Sequence, residues 1–551
     1  MIRLGLKLTH DGGLALLDGT ALVFSHEAEK SENLGRHSSL SALDVNKTLG
    51  HYGCTLSDVD RVLVDGWIDG DAEGVPVAPY HETETHRDPL LPMSFEGLEL
   101  AGRLVEYLSY AHVAGHIFGA YATSPWAARG AASLILVWDG AMFPRLYLFD
   151  PARRSCKLLR QLFGFPGHIY PVVGSYFGPF VPDGAQVPRH TSLATSSLLD
   201  LSGKVMAWVG LGTVNEELMD VFDGIYKEKL QLDFGFVFTF ARTVWERTRG
   251  LKLPDEDIVA SFQAWIGGRI VHALERILRL DGELPRRLCF AGGCALNISW
   301  NARLRASGLF DDVWVPPFPN DAGSALGCAA ADLVNSGEGA AIYWDVYSGP
   351  RLTASRASTN WSSSECDIPA LATFLHETNE PVVFLHGRAE LGPRALGNRS
   401  ILCSATSPET KELLNGMKSR EWYRPIAPIC LEREAPRVFD PGGPDPYMLF
   451  THQVRPEWRE RVPAIVHVDD SARLQTIRSE QNSVVSELLR AYARVSGIPL
   501  LCNTSANRKG SGFFPDLRSA TDWPEARHVW CEGRLYSRAG VSVKIATGSL
   551  S

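Results

Sequence analysis

The stretch "IRLGLKLTHDGGLALLDGTALVFSHEAE", residues 2–29, reads as strand, turn, strand, turn, strand. Apolar "IRLGLKL" is extended, the polar, glycine-rich "THDGG" turns the chain, "LALLD" runs back, "GT" turns again, and "ALVFSHEAE" forms a third strand. A near-copy stands at residues 131–150, "AASLILVWDG" and then "AMFPRLYLFD". Its first turn carries Asp139-Gly140 where the earlier unit has Asp11-Gly12. Two such units predict a sheet duplicated along the chain.

Further out, "FEGLELAGRLVEYLSYAHVAGHIFGAYAT" predicts a helix over about residues 95–123. "RRLCFAGGCALNISWNARLRAS" (286–307) predicts a strand, a glycine turn and a helix, and "WVPPFPNDAGSALGCAAADLV" (314–334) a loop that opens another helix. Strands and helices in this order give an α/β fold class. The duplication is of the actin-like (ASKHA, ribonuclease-H-like) kind met in sugar kinases and chaperone ATPases, where acidic glycine turns face a phosphate chain.

A chain of 551 residues is too long for one core. "YSGPRLTASRASTNWSSSECD" (347–367) is rich in Ser, Thr and Gly and reads as a connection, after which "PVVFLHG" (381–387) begins a fresh strand. The expected domains are residues 1–345 and 346–551. The tail "HVWCEGRLYSRAGVSVKIATG" (528–548) offers a last strand or two. Hydrophobic content of 45% and charged content of 21% are those of a soluble globular protein. With 54 basic against 63 acidic residues, non-specific nucleic-acid binding is excluded as the main task. "MIRLGLKLTHDGG" lacks a signal-peptide layout, and no run reaches the roughly 20 apolar residues of a membrane span. Ten cysteines without a C-x-x-C pair read as reduced core thiols of a cytoplasmic enzyme. A homodimer is among the expected partners.

"AHVAGH" sets His112 and His116 one turn apart on one helix face. That spacing suits chelation of one metal, and it equally suits solvated or core-bonded histidines. Ala111, Ala114, Gly115, Gly119 and Ala120 let another backbone approach the pair. Asp139 ends an apolar strand and Asp321 opens a helix; on a duplicated sheet both point into the cleft. Two His and two Asp suit divalent iron, manganese or magnesium. The turns holding Gly12, Gly140, Gly292 and Gly293, the last closing at Asn297, can aim N–H groups at phosphates, although each alone is also an ordinary tight turn. Lys204 in "LSGKVM" fits a phosphate contact and a surface lysine equally. His10, beside Asp11, fits a general base on a hydroxyl and also a histidine that bonds its own loop.

The second half concentrates cations. "GRAELGPRALGNRSIL" (387–402) holds Arg388, Arg394 and Arg399 in a segment that glycines break and leucines draw to a core. "KSREWYRPIAP" adds Lys418, Arg420 and Arg424, "IVHVDDSARLQTI" adds His467 and Arg473, and "CNTSANRKG" adds Asn503, Ser505 and Asn507. Guanidinium forks suit a phosphate or carboxylate, so a compact anion pocket is expected. Glu390, Glu421, Asp469 and Asp470 are available to neutralise some of these cations instead.

These segments, together with "THDGGLAL", "LVWDG", "GKVM", "AGGCALN" and "NDAGSALGCAA", resemble in order the O-carbamoyltransferase family of bacterial secondary metabolism, which includes nodulation-factor, cephem and aminoglycoside carbamoyltransferases. The opening stretch looks closest to the cephem branch. The resemblance implies an N-terminal domain similar to the actin-like subunit of tRNA threonylcarbamoyladenosine synthesis and a YrdC-like C-terminal domain. It implies that the second domain breaks down carbamoyl phosphate and joins carbamate to ATP, with Mg2+, as carbamoyl adenylate. The first would then pass the carbamoyl group to a hydroxyl of an antibiotic or another secondary metabolite. By the same resemblance His112, His116, Asp139 and Asp321 hold a metal, Fe2+ before Mn2+ or Mg2+, and His10 is catalytic. From the order of the glycine turns along the chain, Gly12, Gly140, Lys204, Gly292, Gly293 and Asn297 are expected at the nucleotide. By the resemblance again, Lys418, Arg424, Arg473, Asn503 and Ser505 fall to carbamoyl phosphate, with Arg388 and Arg394 nearby. The chain departs from the family at Ala506, where Phe is common, at Phe514-Pro515, where Thr-Pro is common, and at "HEAEKSENLGRHS", which leaves Lys30 and Arg36 without an assigned contact. The rival readings are an actin-like kinase or ATPase and a tRNA-modifying enzyme.

Overall fold

The opening stretch folds into β1 (Ile2–Lys7), β2 (Gly13–Asp18) and β3 (Ala21–Glu27) in the computed structural model. With β4 (Arg61–Asp65), β5 (Met93–Leu100) and β6 (Arg103–Tyr110) they make a six-stranded sheet of order β3-β2-β1-β4-β6-β5. The near-copy gives β7 (Ser133–Val137), β8 (Arg145–Asp150) and β9 (Ser155–Gln161), joined by β10 (Arg287–Ala291) and β11 (Asp312–Trp314) in the order β11-β10-β7-β8-β9. In both sheets the three strands of the opening unit lie third, second, first, and parallel strands extend the first: β4 then β6, β10 then β11. This repeated order is the duplicated actin-like, ribonuclease-H-like arrangement expected from the sequence. The central strands are apolar and inaccessible to solvent; every residue of β7, SLILV, is buried.

The structure describes residues 1–30, 35, 37–67, 75–81, 88–181, 196–230 and 235–540. They divide into two units: Met1–Thr9, Ala15–Ala21 and Ser41–Tyr343 in the first, His10–Leu14, Leu22–Leu40 and Trp344–Ser551 in the second. Residues 10–14 and 22–40, placed by sequence in the N-terminal domain, thus group with the second unit. Arg36 and the tail beyond residue 540 lie outside the described residues.

The helix expected over 95–123 is corrected. Residues 93–110 form the β5–β6 hairpin, and only His112–Ala122 is helical. Ala101 and Gly102 both take positive φ, 54° and 74°, the pattern of a two-residue hairpin turn. "LEL" and "LVEYLSY" alternate their burial with the strand period, whereas Leu and Glu in the same run also satisfy a helical count.

In the first unit, helix His112–Ala122 packs against helix Ser324–Asn335 at backbone distance. A Cβ on Gly327 would lie 1.8 Å from the carbonyl oxygen of Gly115, and a Cβ on Gly115 would lie 3.1 Å from Cα of Ser324. The small residues of both helices therefore bring His112 and His116 onto the start of the element that carries Asp321.

The second unit contains β12 (Trp361–Glu365), β13 (Val382–Leu385), β14 (Arg399–Cys403), β15 (Ala427–Leu431), β16 (Phe439–Asp440), β17 (His452–Val454), β18 (Ser471–Ala472), β19 (Gln475–Ile477), β20 (Leu500–Ser505), β21 (His528–Cys531) and β22 (Arg534–Arg538). Eight of these strands form one sheet, β12-β22-β21-β13-β14-β20-β15-β19, and β16-β17-β18 form a small second one. Helices Ile368–Thr378 and Ser483–Ser496 contribute their apolar sides to a core that includes Leu371, Leu375, Leu488 and Tyr492. All ten cysteines are free and most are buried. Among the described residues no helix is long and apolar enough to cross a membrane.

Candidate functional site

His112, His116, Asp139 and Asp321 converge in the first unit, all buried, with one ligand atom from each lying within 4.8 Å of the others. The Nε2 atoms of the two histidines are 3.1 Å apart, and they lie 3.3 and 3.5 Å from Oδ1 of Asp321. Nitrogen and carboxylate oxygen in this mixture fit an iron- or manganese-type divalent ion better than magnesium, which prefers oxygen alone.

A further shell fixes the four, and sequence reasoning missed it. Asp65, at the end of β4, sits 2.7 Å from Nδ1 of His112, the carboxylate–histidine contact that orients a ligating ring. Lys7, at the end of neighbouring β1, lies 3.1 Å from Oδ2 of both Asp65 and Asp321. The Tyr80 hydroxyl donates to Oδ2 of Asp139 at 2.5 Å, and its ring stacks on His112 at 4.6 Å. Gly293 N–H donates to Oδ1 of Asp139 at 2.6 Å. Burial favours neutral His112, but Asp65 and Asp321 outweigh it and hold the imidazole up at about 10. Burial opposes charge on Asp65 as well, yet His112 and Lys7 keep this carboxylate below its ordinary value. The signal available in the sequence was a lysine inside the apolar run of β1.

Other predicted residues have local duties. Besides Gly293, Asn297 caps helix Ile298–Ala306, its Oδ1 accepting from the N–H groups of Ser299 and Trp300. Gly140 leaves room for the His168 ring, 2.9 Å from where its Cβ would stand. Lys204 lies half-buried on helix Ser196–Trp208. In the second unit His10 is half-exposed, 3.8 Å from Asp11, which pairs with Nδ1 of His37 at 2.6 Å. The Gly12 N–H donates to the carbonyl of Ser38, beyond β2 and β3 in the chain.

The three arginines of residues 387–402 differ in what holds them. Arg399 is buried and donates to the carbonyls of His386, Pro350, Gly387 and Asn398; burial lowers its guanidinium to about 10. Arg388 donates to the carbonyls of Val23, Ser348 and Gly349. Both brace loop backbone. Glu390 collects the N–H groups of Leu396, Asn398 and Arg399 on one oxygen. Lys30 and Glu27, also missed, clasp the same loop: Lys30 donates to the carbonyls of Glu390 and Gly392 and to Glu27, and Glu27 accepts from Gly392 N–H. Arg394 is half-buried beside them.

Lys418 donates to the carbonyls of Ser505 and Asn507 and to the Asn507 side chain, and so organises the 505–507 loop. Ser505 donates to Asn507, and Asn503 donates to the Ala395 carbonyl and to Gln475. Arg473 is different. Its Nε is buried without a hydrogen-bond partner among the described residues. Burial, and then the positive charge of Arg424, pull it down to about 10 against the carboxylate of Asp445. Two mutually repelling cations around an unsatisfied donor suit an anion.

The carbamoyltransferase N-terminus family model matches residues 2–91 and 93–330, and the carbamoyltransferase C-terminus model matches residues 373–529. Nodulation protein U of Rhizobium tropici is 44% identical over 98% of this chain and 96% of its own length. The 3'-hydroxymethylcephem-O-carbamoyltransferase of Streptomyces clavuligerus is 32% identical over 98% of this chain and 99% of its own. Over the full length the chain is thus more similar to the nodulation relative than to the cephem one. Among solved structures, a ROK family protein from Streptococcus pneumoniae is 10% identical, covers 61% of this chain and 99% of its own, and has a TM-score of 0.26.

Proposed function

Because this chain belongs to the carbamoyltransferase family, we propose that it makes carbamoyl adenylate from carbamoyl phosphate and ATP and passes the carbamoyl group to a hydroxyl of a secondary metabolite. The observation that carries the first half is Arg473, a half-buried cation whose buried Nε is unsatisfied beside Arg424. In this reading Arg473, Arg424 and Arg394 bind the phosphate of carbamoyl phosphate, while Lys418, Asn503 and Ser505 shape the loop around it. Water releases phosphate and leaves carbamate. A carbamate oxygen attacks the α-phosphorus of ATP, and pyrophosphate departs. The second unit would be the YrdC-like domain that carries out this adenylation.

In the first unit His112, His116, Asp139 and Asp321 would hold a divalent ion, which would supply Lewis-acid stabilisation of developing negative charge. The acceptor oxygen attacks the carbamoyl carbon, AMP leaves, and His10 takes the hydroxyl proton. The name of the cephem relative points to a hydroxymethyl acceptor in antibiotic biosynthesis; the greater likeness to nodulation protein U adds nodulation-type acceptors. The deciding assay supplies ATP, carbamoyl phosphate, Fe2+ or Mn2+, and a panel of both acceptor types. AMP and pyrophosphate that depend on carbamoyl phosphate support the proposal. ADP as product, or indifference to carbamoyl phosphate, rejects it.

A further inference from the structure

We propose that Lys7 sets the valence of the cation held by His112, His116, Asp139 and Asp321, favouring a divalent over a trivalent ion. The inference rests on reading that set as a metal centre. Lys7 is only 2% exposed at the end of β1, beside Asp65 at the end of the parallel neighbour β4. Its Nζ touches Asp321 directly and reaches His112 through Asp65. One cation thus contacts two of the four candidate ligands, the second through a single carboxylate.

The remaining residues of β1 give no local reason for a charge here. An apolar side chain would continue a strand whose interior is buried throughout, whereas a buried ammonium costs desolvation unless carboxylates meet it. The charge balance does give a reason. Asp65, Asp139 and Asp321 bring three negative charges, Lys7 brings one positive, and imidazoles that bind a cation bring none. Two negative charges are left. A divalent ion makes the buried cluster neutral, and a trivalent ion leaves an excess positive charge where screening is weak. Removing the charge of Lys7 leaves three negative charges and suits a trivalent ion. Neutralising Asp65 leaves one and penalises a trivalent ion further.

The test uses the full chain loaded anaerobically with Fe(II) and poised with redox mediators, the one-electron Fe(III)/Fe(II) ratio being read from the ferric paramagnetic resonance signal. At a fixed potential the ferric-to-ferrous ratio should rise about tenfold or more in Lys7→Met and fall by a similar factor in Asp65→Asn. Lys7→Arg, which keeps the charge, should stay within about threefold of the unsubstituted protein. Opposite signs separate charge from architecture, because a merely structural Lys7 would lower iron content without an ordered change in the ratio. Should Lys7→Met fail to fold, Asp65→Asn decides alone. Shifts in the same direction, or none, with iron bound, overturn this inference and leave the metal reading standing. An unsubstituted chain that takes up no iron overturns both.

Discussion

Gly327→Ala puts the helix contact beneath the candidate metal set to a quantitative test. The added Cβ would stand 1.8 Å from the Gly115 carbonyl oxygen, 2.5 Å from its carbon and 2.7 Å from its Cα. Carbon and oxygen in ordinary contact need about 3.5 Å, so the helices must part by roughly 1.5 Å. The obstacle is backbone, and no rotamer change relieves it. Overpacking of this kind costs about 3 kcal/mol, while alanine gains roughly 1 kcal/mol over glycine inside a helix. The net loss is about 2 kcal/mol, which lowers a thermal midpoint in a unit of this size by about 3 °C. Gly115 immediately precedes His116 and follows His112 by three positions, so parting the helices carries both rings away from Asp321; divalent-metal affinity should fall by roughly tenfold or more. The measurements are the thermal midpoint by circular dichroism and metal affinity by chelator competition. Gly224, in helix Glu217–Lys229 with nothing within 4 Å of its Cβ position, provides the control: Gly224→Ala should stabilise by up to about 1 kcal/mol. A Gly327→Ala protein with unchanged midpoint and metal affinity would refute the packing argument.

Arg473→Met should abolish carbamoyl-phosphate-dependent pyrophosphate release and leave metal content intact, whereas His10→Asn should release pyrophosphate normally and stop carbamoyl transfer; normal transfer by the His10 variant would remove it from the chemistry. Tyr80→Phe loses the hydrogen bond to Asp139 and keeps the ring stacked on His112, so metal affinity should drop about tenfold with the fold unchanged by circular dichroism; an unaltered affinity would show that the hydroxyl positions nothing. Burial, and then the charge of Arg527, hold His528 down at about 4. The unfolded ring titrates near 6.5, so between about pH 6.5 and 4 the unfolded chain binds a proton that the folded one does not. Stability should therefore fall by about 2–3 kcal/mol as pH drops through that window, and His528→Gln should flatten the decline; parallel pH profiles would contradict the assignment.

The duplicated sheets were legible because their strands are short, apolar and bounded by glycine turns, features that depend only on neighbours in sequence. The hairpin at 93–110 was not, since Leu98, Leu100, Leu104 and Glu106 satisfy strand and helix periods alike, and only pairing with β4 decides between them. His112 and His116 stood out by helical spacing, and Asp139 and Asp321 by the turns they open. Lys7, Asp65 and Tyr80 meet through parallel strand ends and a distant loop, contacts that no sequence spacing records. The arginine-rich stretch pointed to an anion pocket while leaving internal partners open, and in the structure Arg388 and Arg399 hold main-chain carbonyls. That division of labour depends on which carbonyls the loops happen to point inward.

The clasp of Lys30 and Glu27 on the 390–392 loop has a consequence in time. Lys30 donates to the carbonyl of a residue 360 positions later in the chain. At a synthesis rate of roughly 5–20 residues per second, the partner of this lysine leaves the ribosome about 20–70 s after it does. For that interval segment 22–40 must wait without the loop it braces, and a fragment starting at Trp344 would never acquire it. The second unit therefore matures only when two segments about 360 residues apart have both been synthesised.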